Sequence, residues 1–345
     1  MTMTRNWRYT AADLPKLSPF GSVQTDRISL SEFDGEVWST PSMIAASEFA
    51  IHPGSHCLHY GSSCFEGLKA YRWQDDSLAI FRPGQHAKRM VTSGELLNIT
   101  PPDESHFIEM CKSVVRDSAD SIPPAPGALY LRPVLLGADT NIGAASTPSL
   151  KSVFYVMASP VGDYFAGGER ALRLLVEDKL PRTAPGFGQV KTGANYAAAL
   201  GITLAAKKKW KADQVLFCPS SDVQETGAAN FLLIDDKKII TKPLDDSFLH
   251  GVTRNSILTI GKDLGYEIEE RNVTTDELLK WTDHGEAALS GTAAVLAPVG
   301  SLIFKEKEYT LCNNEPGPNT RRLRQALIDL QQGVARDTRG WIGRI

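Results

Sequence analysis

Apolar residues recur along this chain at two spacings, every second residue and every third or fourth, and the change from one to the other predicts a succession of short strands and helices. Residues 1–30 are polar with scattered prolines and read as an arm packed on the body; residues 33–51 read as strands separated by turns. Gly61 and Gly67 break the next stretch, in which Cys57–Tyr60 reads as extended, and Leu68–Trp73 resumes as a strand. Phe81–Gly84 reads as a turn, followed by a helix over Gln85–Leu97 that carries Arg89. After Pro101 and Pro102, Asp103 is placed to cap a second helix, where Phe107, Cys111 and Val114, with Ile108 and Val115, recur at helical spacing. The Pro-rich run Ile122–Gly127 is a loop, and two apolar strands follow, Ala128–Leu136 and Ser152–Ala158. Residues two apart on a strand share a face, so Tyr130 and Arg132 belong together.

Ser159–Arg170, rich in Gly and charge and without periodicity, reads as a linker. Beyond it come a strand (Leu172–Val176), a Gly-rich loop, and a helix running to about Lys209. Next are a strand at Val215–Cys218 and a hairpin of Phe231–Ile234 with Lys238–Ile240. A helix over Thr253–Leu264 turns Ile257, Ile260, Gly261 and Leu264 inward, Ala287–Leu289 is a strand, and Thr320–Gln332 the last helix. Mixed strands and helices in both halves predict an α/β (α+β) chain of two domains with a cleft between them.

Composition narrows the class. The chain is 42% hydrophobic and 22% charged with a net charge of −3, so it is not built to attract nucleic acid or an anionic membrane. No apolar run is long enough to span a bilayer, and MTMTRNWRYT carries neither a secretion nor an import signal, which places the protein in the cytoplasm. The five cysteines form no CxxC pair and fit a reducing compartment. His52, His56 and His59 invite a metal reading, but alternation in an extended segment sends His56 and His59 to opposite faces, so no metal site is assigned.

The candidate chemistry centres on Gly186–Leu200, GFGQVKTGANYAAAL, where Lys191 lies between a glycine-rich approach and the small residues of a helix start. A lysine so held could form a Schiff base with a carbonyl substrate or with pyridoxal 5'-phosphate. That cofactor also asks for a carboxylate at its pyridine nitrogen, a phosphate cradle and a donor near its phenolic oxygen. Glu225, just before an apolar strand, offers the carboxylate. Leu249–Asn255, LHGVTRN, brings the backbone N–H groups of Gly251, Val252 and Thr253 to a helix start, a ready anion site. Ser290–Ala294, SGTAA, adds a hydroxyl and close backbone approach, and Arg89 a bidentate phosphate contact. Each motif alone also reads blandly, as a surface lysine, a loop glutamate or an exposed helix arginine.

Taken together, YGSSCFEGLKAYR, LYLRPVL, PVGDYFAGGER, VKTGANYAAAL, ETGAANFLL, LHGVTR and SGTAAVLAPVG resemble, in order, the branched-chain amino acid aminotransferases of the pyridoxal-phosphate fold type IV group. The resemblance implies a small α/β domain over 1–159, an interdomain loop over 160–170, and a large domain over 171–345 carrying the lysine, with the active site in the cleft. It implies reversible transfer of the amino group of L-leucine, L-isoleucine or L-valine to 2-oxoglutarate, by a homodimer that acts on small amino acids and 2-oxo acids. In that reading Lys191 is the catalytic lysine and Tyr196 bonds the phenolic oxygen. Glu225 bonds the pyridine nitrogen; Arg89, Gly251, Val252, Thr253 and Thr292 hold the phosphate, and Leu249 packs on the ring. Tyr60, Phe65 and Tyr130 line the side-chain pocket, Thr292 and Ala293 meet the substrate carboxylate, and Arg132 seats the acceptor acid.

Some residues depart from the family's pattern. Ala194 stands where many relatives have glycine, Ala228 where some have threonine, and no CxxC follows the GTA segment. The alternative is another fold type IV activity, on D-amino acids, (R)-amines or aminodeoxychorismate, which the FEGLKAYR and LYLRP segments disfavour.

Overall fold

The computed structural model describes residues 8–164 and 169–345. The start of the N-terminal arm and residues 165–168 of the expected interdomain loop lie outside the described residues. The chain divides into two compact units: Met1–Ala166 with Val190–Gly193 and Gln331–Ile345, and Gly167–Gln189 with Ala194–Leu330.

The first unit is built from β1 (Arg27–Phe33), β2 (Ser42–Ala45), α1 (His56–Tyr60), β3 (Ser63–Phe65), β4 (Leu68–Arg72), β5 (Leu78–Phe81), α2 (Pro83–Leu96), α3 (Glu104–Asp117), β6 (Ala128–Gly137) and β7 (Ser152–Val161). Its sheet runs from the C-terminal strand Ile342–Arg344 through β5, β4, β6, β7 and β1 to β2, with β3 also on β6. Every pairing is antiparallel. Strand β6 alternates strictly: Leu129, Leu131 and Leu135 are buried in one core cluster with Phe107, Met110, Cys111 and Val114 of α3, while Tyr130, Arg132 and Val134 occupy the other face. Asp103 caps α3 as expected, accepting the His106 N–H at 2.8 Å.

The second unit contains β8 (Leu172–Glu177), α4 (Gly193–Trp210, its first residue counted with the first unit), β9 (Gln214–Phe217), β10 (Asn230–Ile234), β11 (Lys238–Thr241), α5 (Val252–Asp263), β12 (Glu267–Glu270), α6 (Thr275–Trp281), β13 (Glu286–Gly291), β14 (Val295–Phe304), β15 (Lys307–Thr310) and α7 (Pro318–Gln331). Its sheet order is β12-β11-β10-β13-β14-β8-β9, with β15 on β14. The pairs β11–β12, β14–β8 and β8–β9 are parallel and the rest antiparallel, the mixed pattern of an α/β sheet. The carboxylate of Glu286 on β13 caps α7 from outside, accepting from the Asn319 and Thr320 N–H groups at 2.8 Å each.

Several expectations need correction. Residues 56–60 are helical, closed by Gly61 at φ 68°, so the alternation argument for His56 and His59 does not hold. Both rings bond protein oxygens instead, His56 to Ser62 and Thr147 and His59 to Pro53. Among the described residues no three metal ligands gather. The N-terminal arm ends in β1, and its Tyr9 and Leu17 are buried. Of residues 33–51, only β2 is a strand beyond the end of β1. FRPG is a helix start rather than a turn, with Arg82 at φ 51° and Pro83 as the first helical residue. The C-terminal segment, expected within the large domain, pairs with β5 and belongs to the first unit.

Candidate active site

Residues of the first unit gather around Lys191, whose peptide is held on both sides. Its N–H donates to the Ser93 hydroxyl of α2 at 3.2 Å, and its carbonyl accepts from the Phe65 N–H of β3 at 3.0 Å. Its Nζ stands 5.0 Å from the Phe65 ring centroid. The neighbouring Glu66 is fully buried, and its carboxylate is gripped by α2. Arg89 donates from Nε to one oxygen at 2.7 Å and from Nη2 to the other at 2.8 Å, and His86 Nδ1 lies 2.6 Å from the second. Burial works against charge on Glu66, but the Arg89 guanidinium and His86 outweigh it and hold the carboxyl well below its ordinary value. Burial pushes His86 below its ordinary value against the pull of Glu66, so the imidazole is neutral at pH 7 and the ion pair is Glu66–Arg89. Arg89 is thus not the exposed helix arginine of the bland reading; its side chain is 9% exposed.

The other face of β6 carries the second group. Arg132 Nη2 donates to the Tyr130 hydroxyl at 2.9 Å, and its guanidinium lies 4.4 Å from the Phe65 ring centroid. Phe20 of the N-terminal arm stands edge-on to Tyr130 at 5.0 Å. Gly67 is required here, because a Cβ would overlap the Tyr130 hydroxyl. Tyr60 has other neighbours: it is 38% exposed on α1, packs on His56, and donates its hydroxyl to the Ile142 carbonyl.

In the second unit the candidate residues are organised around Glu225, which is 2% exposed. Its Oε1 lies 2.7 Å from Arg182 Nη1 and accepts from the Leu249 N–H at 3.0 Å; its Oε2 accepts from Asn230 Nδ2 at 2.9 Å. Asn230 also donates to the Leu249 carbonyl at 2.8 Å, so one amide ties Glu225 to the chain entering α5. The Arg182 guanidinium lies 5.5 Å from the ring centroid of Tyr196, in the first turn of α4. Gly251 precedes α5, where a Cβ would overlap the Asn230 amide, and no side chain caps the turn that begins with Val252 and Thr253. Thr292 and Ala293 form the turn between β13 and β14, which closes on Val295 at φ 64°, an outlier for a β-branched residue.

Two of the three glycines near Lys191 are needed where they stand. Gly186 has φ 76°, and at Gly188 a Cβ would run into the Ser247 backbone, whereas a Cβ at Gly193 meets nothing within 4 Å. The residues that sequence reasoning missed are Phe20, Glu66, His86, Ser93, Arg182 and Asn230. His86, Arg89 and Ser93 lie at helical spacing on α2, a signal that was readable; nothing local marks Arg182.

The family model for class IV amino-transferases matches residues 63–302, and this chain belongs to that family. It is 36% identical over 333 residues to a probable branched-chain-amino-acid aminotransferase of Streptomyces coelicolor, covering 94% of this chain and 91% of that one. It is 34% identical over 340 residues to the branched-chain-amino-acid aminotransferase of Mycolicibacterium smegmatis, covering 94% and 92%. Among solved structures, the branched-chain amino acid aminotransferase of Escherichia coli aligns with a TM-score of 0.76 at 26% identity, covering 92% of this chain and 98% of that one.

Proposed function

We propose that the protein is a pyridoxal 5'-phosphate-dependent branched-chain amino acid aminotransferase that exchanges the amino group of L-leucine, L-isoleucine or L-valine with 2-oxoglutarate. The observation that carries this is the lysine held by its own peptide, in a chain whose relatives bear that name. The residues present suit the cofactor. Glu225 is a buried carboxylate paired with arginine, the first turn of α5 has no side-chain cap, and the buried hydroxyls of Thr192 and Ser290 have no protein hydrogen-bond partner.

When bound, the cofactor supplies an aldehyde for amines and a ring that draws electrons from the substrate Cα. Lys191 Nζ would hold the aldehyde and, once the substrate amine replaces it, carry the proton taken from Cα. Glu225 would keep a proton on the pyridine nitrogen, and the Tyr196 hydroxyl would bond the phenolic oxygen. Arg89, the N–H groups of Val252 and Thr253 after Gly251, and Thr292 would hold the phosphate, with Leu249 against the ring. Phe65 and Tyr130 would wall the aliphatic side chain, whereas Tyr60, expected with them, is turned to His56 and the Ile142 carbonyl, and the backbone of Thr292 and Ala293 would meet the α-carboxylate. The distal carboxylate of glutamate cannot be buried unpaired, and Arg132, already bonded to Tyr130, is the group to receive it.

We assign the enzyme to the cytoplasm as a homodimer. Among the described residues no helix is long and apolar enough to cross a membrane. The row Ala197, Leu200, Gly201 and Leu204 lies exposed on α4, a face suited to a second copy. Sedimentation should give the mass of a dimer; a monomer would contradict that part. For the activity, L-leucine added to purified holoprotein should convert the yellow chromophore to the amine form, and 2-oxoglutarate should restore it. No response to L-leucine, or an equal one to D-leucine, would overturn the proposal.

A further inference from the structure

Glu66 takes no part in the chemistry above, yet its carboxylate is buried and bonded at both oxygens. It is 0% exposed, and its Oε2 is approached by Arg89 Nη2, by His86 Nδ1 and by the Gly67 N–H at 3.2 Å, while Oε1 receives Arg89 Nε. A carboxylate only accepts, so the neutral imidazole donates its Nδ1–H. The backbone of Glu66 is pinned as well, its N–H donating to the Pro133 carbonyl of β6 at 2.8 Å. Burial raises the thiols of Cys64 and Cys111 of the core cluster, and both lie near enough to feel the Glu66 charge, which raises them further. A buried ion pair in such surroundings is often no more stabilising than well-packed apolar residues would be, so stability alone does not account for it.

What the pair does supply is orientation. A guanidinium bonded through Nε and Nη2 to one carboxylate is fixed in plane and in rotation. We propose that Glu66, backed by His86, is a positioning residue that fixes the Arg89 guanidinium for a phosphate monoester. This rests on the reading of Arg89 as a phosphate ligand. It is separable from a plain charge effect, because the two give opposite signs. If only charge mattered, removing the Glu66 carboxylate would leave Arg89 more attractive to a dianion and tighten binding. If orientation matters, the same change loosens it.

The test is titration of apoprotein with pyridoxal 5'-phosphate and, separately, with pyridoxal, which lacks the phosphate, followed by protein fluorescence. For Glu66→Gln, affinity for the phosphorylated form should fall by about tenfold or more, with pyridoxal affected far less. Unchanged or tighter binding of the phosphorylated form would overturn the proposal, as would equal losses for both, which mark a general structural role. Arg89→Lys tests the underlying reading: if it spares the phosphorylated form, Arg89 is not the phosphate ligand. If it weakens that form while Glu66→Gln does not, only the positioning role fails. Should Glu66→Gln not fold, His86→Leu carries the same comparison with a smaller loss of the same pattern, and equal losses for both ligands again overturn it.

Discussion

Among the described residues each unit buries an Arg–Glu pair, and the two differ in which partner is assigned to a ligand. In the first unit the carboxylate of Glu66 is enclosed by Arg89, His86 and Gly67, and the arginine is the group assigned to a ligand. In the second, Arg182 is the holder. It faces Glu225 through Nη1, gives Nε to the Gly227 carbonyl at 3.3 Å, and lies over Tyr196, while the carboxylate is the group assigned to the cofactor ring. In the proposed assignment the same two residue types serve as clamp and tool in opposite order. A buried ion pair therefore does not announce which member is functional; the remaining bonds of each member decide it.

The comparison predicts different failures on the two sides. The largest effect is expected at the second-unit clamp. Arg182→Met leaves Glu225 buried without its counter-charge, and breaking such a pair costs about 3–5 kcal/mol. Urea unfolding should show the loss, and adding Glu225→Leu should regain much of it. A single variant as stable as the wild type would mean that Arg182 does not hold Glu225. Next comes the second-unit tool. Glu225→Gln should retain fold and cofactor but slow Cα proton removal by about 10²–10³, the usual scale for a displaced electrostatic partner. Single-turnover rates with L-leucine measure this, and a near-normal rate removes Glu225 from the mechanism.

A smaller effect belongs to the lysine's own brace. Ser93→Ala takes away the acceptor of the Lys191 N–H and should cost about 1 kcal/mol, with Ser93→Thr restoring most of it. Thermal unfolding of both variants decides the point, and equal losses would show the hydroxyl to be irrelevant. The smallest effect is in pH dependence, and it belongs to the first-unit pair. His86 is held below its ordinary 6.5 by burial, so on unfolding it gains a proton just below that pH and the folded state loses stability on acidification. Glu66, depressed from 4.5 despite its burial, contributes stability that is present in full above pH 4.5 and is lost as pH falls further. Unfolding midpoints measured from pH 7.5 to 3.5 should decline in that order, and His86→Leu should flatten the upper part.

What the sequence made legible follows from which forces are local. Alternation on β6 correctly set Tyr130 and Arg132 on one face, and Asp103 marked its helix, because both signals lie within a few residues. The five-residue helix at His56 is too short to show a period. Strand β14 was not assigned from the sequence, and it contains a proline and a glycine, Pro298 and Gly300. In the sheet, Pro298 lies opposite Ala288, and the register against β8 shifts at Gly300, where a Cβ would overlap Asn314. Helix α6 could have been found, since Thr274 and Glu277 have capping-box spacing and Thr274 does accept the Glu277 N–H at 3.2 Å. Lys191, Glu225 and Arg89 were visible as motif residues, but their holders were not. Arg182 is 43 residues from Glu225 in the chain and meets it only through folding.

The central proposal is that Lys191 is the amine that holds the cofactor. Borohydride reduction of the purified holoprotein, followed by peptide mapping, tests it most directly. The phosphopyridoxyl group should be recovered on the peptide containing Lys191 and lost in Lys191→Ala. Recovery on Lys69, which is also buried, or on the exposed Lys179 would contradict it.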